Sequence, residues 1–530
     1  MKKTQKIIAF IGASLLTMTS FVGCKSGNSI DENTIVFSVF NGGYGKEYAQ
    51  NIANAWNEAN KDTGFEVSIN PNKDEWYTIA ASLSAGTALS DIYETTILTF
   101  DEAASKGWIE DLTDVYNTKA EGESKTIREK VKSSEEQNME LYMVDGKYYS
   151  IPVSTDVCGF VYDHEIFLEK GFLISAETTA SGGAKLISSP TEKLSIGRDG
   201  IEGSMDDGHP KNMAEYNLMI DAIKSSMYSY VWSGKFPYYL SPLFDSIMIE
   251  YEGFADWKDM LDYDFTYGDK VVTRENGYEI FSIDGRLKAL QFIDNYLADS
   301  TLYHPQAAKS TSHTDVQKTF VYGNAFNGTT ADKQVAFLYE GIWWENEARA
   351  NFNSLANRGY NNYEFGKRNY RMMMLPQMDE NQEHNDYVFG SFGSLNMVVK
   401  KQSNPEKLKA IKSFLTMFYS NYWLRETTVN AGMIVPFDCE LDTATLARGT
   451  QFLQNMYQIL NQDNVYVYRK EWNTRLVSAM ETSYIGNRSY LYPINAMQRG
   501  DGLTVAGNAQ DLFSQTYDYN KKEWKSILEG

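Results

Sequence analysis

The stretch from Tyr142 to Asp163, YMVDGKYYSIPVSTDVCGFVYD, decides the fold. Its Asp145-Gly146 dipeptide is a strong signal for a tight turn between two aromatic-rich runs. Residues 148–153 have the composition of a strand, and Pro152 marks its end because proline cannot donate to a sheet ladder. The first half of the stretch therefore predicts a hairpin that leads into a short strand.

The second half of the stretch, residues 157–162, predicts a buried strand around the small residue Gly159. Two structures fit the whole pattern. One is a hairpin followed by a core strand of the same domain. The other is a crossing between two lobes, which would leave three polar side chains in the cleft at the crossing point: Ser154, Thr155 and Asp156.

The chain before this stretch alternates strands with helices. Apolar residues run almost without interruption over 34–40, as in a buried parallel strand, and the glycine-rich NGGYG at 41–45 predicts a loop. A helix is predicted next, because four apolar residues recur at helical spacing and share one face: Ala49, Ile52, Ala53 and Trp56. Further segments predict a strand around Val67, a helix from Trp76 and a short strand at 91–93. Strand, helix, strand, helix, strand is typical of a parallel α/β sheet.

Several motifs resemble one family when they are taken in order. They are DGK-Y-IP with its following strand, LSAGTALSDIY at 83–93, GWIEDLTDVY at 107–116, the strand-Gly-x-Trp segment at 334–345, RMMMLPQ at 371–377 and the Gly-x-x-Pro turn at 431–436. This order resembles the sugar-type extracellular solute-binding proteins, family 1, of ABC importers, whose archetype is maltose-binding protein. The resemblance covers nearly the whole chain to about residue 440.

Composition narrows the class of protein. The 530 residues suffice for two domains, and 42% hydrophobic with 22% charged residues is typical of a globular protein. The formal charge of -21 argues against nucleic-acid binding, which needs a basic face. Aromatic residues reach 14%, with 36 tyrosines, and such side chains suit contact surfaces that are apolar on one side and wet on the other.

The first residues have the pattern of an export signal. Lys2, Lys3 and Lys6 precede an uncharged apolar segment at 7–22 that is too short for a comfortable membrane span. Phe21-Val22-Gly23-Cys24 then resembles a bacterial lipobox, although leucine is usual where Phe21 stands. The resemblance implies a signal peptide at 1–23, lipidation of Cys24 and a polar tether at 24–33. An ordinary secretory signal that ends near a cysteine is the alternative.

Motifs for catalysis are missing from the sequence. It contains no G-x-S-x-G, no H-E-x-x-H and no phosphate-binding loop with its lysine, and the five histidines are scattered. The remaining cysteines, Cys158 and Cys439, form no C-x-x-C, and both a buried unpaired state and a bridge between them stay open. Paired carboxylates for glycoside hydrolysis also stay open among 70 acidic residues.

Sugar binding needs aromatic faces and planar polar groups. Open α/β sheets hold ligands at the carboxyl ends of their strands, and the loops there supply the candidates. They are Tyr44, Glu94, Thr95, Asp156, Trp343, Trp344 and Glu345, together with Trp76 at a helix start and the aromatic cluster of Trp232, Tyr238 and Tyr239. Because Trp343 and Trp344 are consecutive, we expect one to face the cleft and the other to be buried.

Residues 173–212 have no sustained period and predict an insertion. Within it, acidic side chains alternate with glycines: Asp199, Glu202, Asp206 and Asp207. Clustered oxygens on a turning backbone are what Ca²⁺ requires, so this loop is either a structural calcium site or a solvated acidic loop. Its spacing is not that of an EF-hand.

The strand-helix alternation predicts an α/β fold, and the resemblance implies that it is two-lobed, of the periplasmic-binding-protein type II class, with parallel-rich sheets, flanking helices and an inter-lobe hinge. Lobe 1 is predicted at 33–153 with 312–368, and lobe 2 at 154–311 with 369–530. The resemblance implies a monomeric, lipid-anchored binding protein on the extracellular face of the membrane or in the periplasm, with no required cofactor. It would deliver a carbohydrate, foremost an oligosaccharide, to an ABC permease. A surface glycan-binding lipoprotein without a transporter, an exported glycosidase and an importer of peptides remain alternatives.

Overall fold

The computed structural model describes residues 32–71, 73–96, 98, 100–261, 265–327, 333–391, 393–468, 484–485, 488–489 and 508–529. The predicted signal peptide, Cys24 and most of the tether lie outside these residues. In chain order the strands are β1 Thr34–Ser38, β2 Glu66–Asn70, β3 Ile92–Thr95, β4 Met143–Val144, β5 Lys147–Tyr148, β6 Ile151–Pro152, β7 Cys158–Asp163, β8 Ile174–Thr178, β9 Ala184–Leu186, β10 Tyr228–Val231, β11 Phe265–Tyr267, β12 Lys270–Val272, β13 Val335–Gly341, β14 Tyr370–Met372, β15 Tyr387–Gly390, β16 Asn396–Val399, β17 Val465–Tyr468, β18 Tyr484–Ile485 and β19 Arg488–Ser489.

Helices flank these strands. They are α1 Glu47–Ala59, α2 Lys73–Ser84, α3 Phe100–Ser105, α4 Thr113–Tyr116, α5 His164–Lys170, α6 Met213–Lys224, α7 Ser241–Glu252, α8 Phe254–Leu261, α9 Asp284–Phe292, α10 His313–Ala325, α11 Trp344–Glu347, α12 Arg349–Asn357, α13 Pro405–Phe418, α14 Asn421–Ala431, α15 Thr443–Leu446, α16 Gln451–Ile459 and α17 Ala509–Glu529.

Two main sheets define two lobes. The first sheet has the order β2-β1-β3-β16-β6 and the second has the order β10-β13-β7-β14. Each sheet is mixed: β1 runs parallel to β2 and β3, whereas β16 runs antiparallel to β3, and β10 runs parallel to β13, whereas β7 runs antiparallel to it. The predicted α/β class is confirmed, but the sheets contain more antiparallel pairing than the strand-helix alternation indicated.

The hairpin at the start of the deciding stretch is confirmed. Asp145 and Gly146 have φ values of 50° and 76°, and both central residues of a type I′ turn need positive φ. This turn joins β4 to β5, after which β6 lies in the first sheet and β7 in the second. Residues 153–157 therefore cross between the lobes, and the chain crosses back between β14 and β16.

The sheet to which a strand belongs was predicted incorrectly in two places. Strand β13, at 335–341, was assigned to lobe 1 but lies between β10 and β7 in the second sheet. Strand β16, at 396–399, was assigned to lobe 2 but pairs with β3 and β6 in the first. Both strands are fully buried, and a buried apolar run has the same composition in either sheet.

One apolar cluster extends through both lobes, from Phe37 of β1 to Leu338 of β13. The helix face predicted from Ala49, Ile52, Ala53 and Trp56 is buried, and α1 packs on α13 and α14 of the first lobe. Asn404 accepts hydrogen bonds from the N–H groups of Glu406 and Lys407 and so caps α13, as expected from Asn404-Pro405. The segment at 173–212 is not wholly irregular, because β8 and β9 form a hairpin within it.

Candidate functional site

The candidate site is a cavity of about 260 Å³ at the carboxyl ends of strands from both sheets. Loops after β1 and β3, with Tyr77 of α2, contribute Phe40, Gly43, Tyr44, Tyr77 and Thr96. The segments after β10 and β13 contribute Phe236, Tyr239, Trp343 and Glu347, and His313 comes from the start of α10. Asp156 and Leu395, which lie on the two inter-lobe crossings, line the cavity between the two groups. We call this cavity the cleft.

Asp156 is held rigidly at the crossing. The Tyr44 hydroxyl donates to Asp156 Oδ1 at 2.5 Å, and the Ser154 hydroxyl donates to Oδ2 at 2.8 Å. The Asp156 N–H in turn donates to Ser394 Oγ at 3.1 Å, which joins the two crossings. Burial, followed by the charge of Asp156, raises the pKa of Tyr44 well above its ordinary value, so Tyr44 stays a hydroxyl donor at neutral pH.

The indole of Trp343 lies against the backbone of both lobes. A Cβ added at Gly43 would fall 2.5 Å from the Trp343 ring, and one at Gly341 would fall 2.2 Å from it. The Asn346 amide donates to the Gly43 carbonyl at 2.8 Å, which links α11 to the loop after β1. Glycine is therefore required at 43 and 341 because a side chain there would displace the indole from the cleft.

A second aromatic wall comes from the segment after β10. The ring of Tyr239 stacks on His313, with centroids 6.0 Å apart and an angle of 7° between the planes. Phe236 lies 6.2 Å from Tyr239 and 5.7 Å from His313. These rings are only partly buried, and they face the cleft on the side of the second lobe. Flat faces of this kind suit the CH-rich surface of a sugar ring.

Acidic groups lie both at the surface of the cleft and behind it. Gln317 Nε2 donates to Glu347 Oε2 at 2.8 Å and to Glu340 Oε1 at 3.3 Å, so one amide joins the two carboxyls. His313 Nε2 lies 3.4 Å from Glu347 Oε1. Burial, with the charge of Glu347 adding to it, raises the pKa of Glu340 to about 8.

Glu94 supports the first-lobe side of the cleft from below. Its carboxyl accepts hydrogen bonds from the Tyr48 hydroxyl at 2.5 Å and from the Phe40 N–H at 3.1 Å. Burial raises the pKa of Glu94 to about 7. Because Phe40 lines the cleft and Glu94 does not, Glu94 positions the loop after β1.

Three predicted residues lie in the hydrophobic core instead of the cleft. Trp232 is 1% exposed and packs edge to face on Tyr303, and Trp344 is 0% exposed among Phe320, Phe352 and Tyr370. Burial raises the pKa of Glu345, the third of these residues, to about 7. Consecutive residues at a helix start point in different directions, so Trp343 faces the cleft while Trp344 fills the core.

Other predicted residues have different outcomes. Tyr44, Asp156, Tyr239 and Trp343 come together in the cleft, whereas Thr95 is buried and its neighbour Thr96 takes the lining position. The side chains of Trp76 and Tyr238 lie outside the described residues.

Sequence reasoning missed Glu347. It lies four residues after Trp343 and so on the same helical face, and this spacing could have indicated it. Nothing local in the sequence indicates His313.

The acidic loop is held by its own hydrogen bonds. Asp206 accepts from the Arg198 N–H at 2.8 Å, the Ser204 hydroxyl at 2.6 Å and the Tyr387 hydroxyl at 2.6 Å. Glu202 pairs with Lys193 at the surface, Asp207 accepts from the Gly203 N–H and Asp199 from the Ile201 N–H. Across the part of the chain that the structure describes, no group of three or more acidic, histidine or cysteine side chains could hold a metal ion.

A larger groove of about 990 Å³ lies elsewhere, along residues 125–148 and 460–466. Charged side chains such as Lys125, Arg128 and Glu129 form much of its lining. The cleft, and not this groove, is the place where both lobes and both crossings meet.

Cys158 and Cys439 are both buried, and no disulfide bond joins them.

The two lobes, their double crossing and the cleft define a solute-binding protein. A family model described as bacterial extracellular solute-binding protein matches residues 52–437. The chain belongs to this family and is a solute-binding protein of ABC import, which is a binding protein and not an enzyme.

Solved structures share the fold over almost the whole chain. The maltose-bound MalE3 protein of T. maritima has a TM-score of 0.56 at 15% identity, covering 93% of this chain and 99% of its own. A chitin oligosaccharide binding protein has a TM-score of 0.55 at 14% identity, covering 94% and 99%. The solute-binding protein RafE in complex with raffinose has a TM-score of 0.52 at 13% identity, covering 92% and 99%.

A search of curated proteins finds no match for this chain. Within the described ranges, none of the helices combines the length and the apolar character that a membrane crossing needs.

Proposed function

We propose that the protein captures a carbohydrate in the cleft and delivers it to the membrane permease of an ABC importer. One observation carries this proposal: the aromatic faces of Tyr239 and Trp343 and the fixed carboxylate of Asp156 line a single cavity that both lobes share. Stacking faces and rigid hydrogen-bond acceptors are the two features that sugar rings with their hydroxyl rims require.

The size of the cleft favours a short ligand. Its volume of about 260 Å³ lies just below the usual range of ~300–1,000 Å³ for small-molecule sites. We infer that one or two sugar rings are enclosed, and that a longer oligosaccharide would extend out of the cleft. The compared proteins bind raffinose, a chitin oligosaccharide and maltose, and these ligands support the sugar class here.

The mechanism is closure around the ligand. Because the cleft takes side chains from both lobes, a sugar that contacts both binds the closed form better than the open form. Binding then shifts the population toward the closed form, and the permease recognises that form. No bond in the sugar is made or broken.

We further propose that the mature protein is tethered by lipid on Cys24 at the extracellular face of the membrane. More than one acyl chain on one residue gives stable anchoring, whereas a single chain gives only reversible binding. Expression with labelled palmitate tests this: the wild-type protein should carry label and Cys24→Ser should not. Equal labelling of both would contradict the lipid site.

Thermal unfolding of the purified protein against a panel of mono-, di- and trisaccharides tests the sugar proposal. A ligand at 100 times its dissociation constant adds roughly 2.7 kcal/mol to the free energy of unfolding, which a melting curve resolves. One or a few sugars should raise the melting temperature, and short peptides in the same panel should not. Stabilisation by peptides alone would overturn the carbohydrate class.

A further inference from the structure

The acidic side chains that line the cleft come from the crossing and from the second lobe. Asp156 lies at the crossing and Glu347 lies on the wall of the second lobe, and both line the cavity. Among the lining residues that the structure describes there is no lysine or arginine, and His313 is the one basic type. A ligand that enters the cleft therefore meets carboxylates from two directions.

The layer behind the lining contains two more carboxyls, Glu340 and Glu94, which burial holds protonated or partly protonated near pH 7. Glu340 is 1% exposed and shares the Gln317 amide with Glu347, so the second-lobe wall contains two carboxyls in one hydrogen-bonded unit. Glu94 lies below Phe40 on the opposite side. The chain as a whole carries a formal charge of -21, which adds a negative long-range field to that of the lining carboxylates Asp156 and Glu347.

The aromatic rings point to the same ligand charge. Six lining residues are aromatic: Phe40, Tyr44, Tyr77, Phe236, Tyr239 and Trp343. The faces of such rings are negative, and they attract a cation placed within about 6 Å of the ring centre. The rings and the carboxylates both favour positive charge in the cleft, and both disfavour an anionic group.

Resting on the proposed function, we propose that the cleft selects sugars by charge. It binds an amino sugar more tightly than the corresponding neutral sugar, and it rejects the corresponding uronic acid. Glu347 is the residue that sets this order from the second lobe. Its carboxylate lies on the second-lobe wall of the cavity, where it accepts a hydrogen bond from Gln317 and lies 3.4 Å from His313 Nε2. Asp156, at the crossing, accepts from the hydroxyls of Tyr44 and Ser154.

The test is a calorimetric titration of the purified protein with three matched series. They are glucose, glucosamine and glucuronic acid, and the 1,4-linked disaccharides built from each, in both anomeric linkages. Two opposite charges about 6 Å apart in a partly wet site change affinity by about tenfold. In whichever series binds, we expect the amino sugar to bind at least about tenfold more tightly than the uronic acid.

Glu347→Gln should bring the amino and uronic affinities closer together by a similar factor. Glu58→Gln is the matched control, since it removes the same charge from an 80% exposed side chain on α1. The control should keep the wild-type ratios of affinity among the amino, neutral and uronic sugars. If E347Q also keeps those ratios, Glu347 does not set the preference.

The outcomes separate this inference from the proposed function. A uronic acid that binds as tightly as its neutral or amino partner overturns charge selection and leaves carbohydrate capture standing. If no sugar of any charge binds, while the thermal panel also stays flat, the proposed function fails and the charge order fails with it.

Discussion

The hydroxyl of Tyr44 donates to Asp156 Oδ1 at 2.5 Å and so joins the loop after β1 to the crossing between the lobes. Both side chains are buried, although both line the cleft. The contact therefore fixes the direction of a carboxylate in the absence of ligand, and a fixed acceptor loses less entropy when a sugar binds.

Removing this hydroxyl should weaken both ligand binding and folding. In Tyr44→Phe the Asp156 carboxylate loses one donor, and a hydrogen bond to a charged group contributes about 1.5–3 kcal/mol. We expect roughly tenfold or greater loss of sugar affinity, measured by calorimetry. Tyr422→Phe, at a 58% exposed tyrosine, is the control and should bind as the wild type does. Equal affinities in Y44F and wild type would show that Asp156 needs no orientation.

Alanine substitutions at Trp343 and Trp344 should have different effects: the first should reduce sugar binding and the second should reduce stability. Trp343→Ala removes a face of the cleft and should abolish detectable sugar binding while the protein remains folded. Trp344→Ala opens a cavity among Phe320, Phe352 and Tyr370 and should cost about 3–5 kcal/mol of unfolding free energy. Urea unfolding and titration of both variants measure the two effects. The reverse assignment, with W343A unstable and W344A unable to bind, would contradict the placement of these rings.

The stability of the protein should fall as pH rises from about 5 to 8. Burial raises the pKa of Glu340 to about 8 and that of Glu94 to about 7, from an ordinary value of 4.5. In this window the folded protein keeps protons that the unfolded chain has released, so the free energy of unfolding decreases with pH. Well below pH 4.5 the two carboxyls are protonated in both the folded and the unfolded state, so they no longer make the free energy of unfolding depend on pH.

Glu340→Gln isolates one of these protons. Glutamine has none to release, so the slope of unfolding free energy against pH should become less negative by up to one proton between pH 5 and 8. Urea unfolding at four pH values measures it, with Glu58→Gln as a control that should keep the wild-type slope. A slope unchanged in E340Q would mean that Glu340 is ionised in the folded state.

A buried ion pair should anchor the inserted segment to the second crossing. Arg198 pairs with Glu250, donates to the Leu375 carbonyl at 2.7 Å and stacks on Tyr387. Removing one partner of such a pair usually costs ~3–5 kcal/mol, whereas replacing both with apolar groups costs far less. Arg198→Met should therefore be much less stable than the double variant R198M/E250M in urea.

Lys193→Met, which breaks the exposed pair with Glu202 in the same segment, should change stability by less than about 1 kcal/mol. If R198M is as stable as K193M, the buried pair contributes nothing.

Metal removal should leave the protein unchanged. The acids of the loop at 199–207 are already engaged by protein donors, above all Asp206, which accepts hydrogen bonds from Ser204 and Tyr387. The melting temperature in EDTA should equal that in excess CaCl₂. A fall of several degrees in EDTA, restored by calcium, would assign a metal to this loop.

The sequence predicted the elements of this fold better than their arrangement. Periodicity identified α1 and β13 because one buries a helical face and the other a continuous apolar run. It could not place β13 in the second sheet, since pairing partners are set by tertiary contacts and not by local pattern. The hairpin and the strand end left a local signature in the Asp145-Gly146 turn and Pro152. That signature fitted one domain as well as a crossing, and the family resemblance favoured the crossing.

The candidate site was predictable mainly at strand ends, where Tyr44, Asp156 and Trp343 lie, and all three line the cleft. The aromatic cluster after β10 added Tyr239, which also lines it. Trp232 has the same local context but packs on Tyr303, and only the folded core decides between these roles. His313 reaches the cleft because α10 packs on β13, a contact across more than twenty residues of chain with no sequence signal.

Small-angle scattering with and without sugar tests the central claim, which is capture between the lobes. The sugar that most raises the melting temperature should reduce the radius of gyration of the wild-type protein and leave that of Trp343→Ala unchanged at the same concentration. Tight sugar binding with no change in the wild-type radius of gyration would contradict closure and would favour a rigid glycan-binding surface protein.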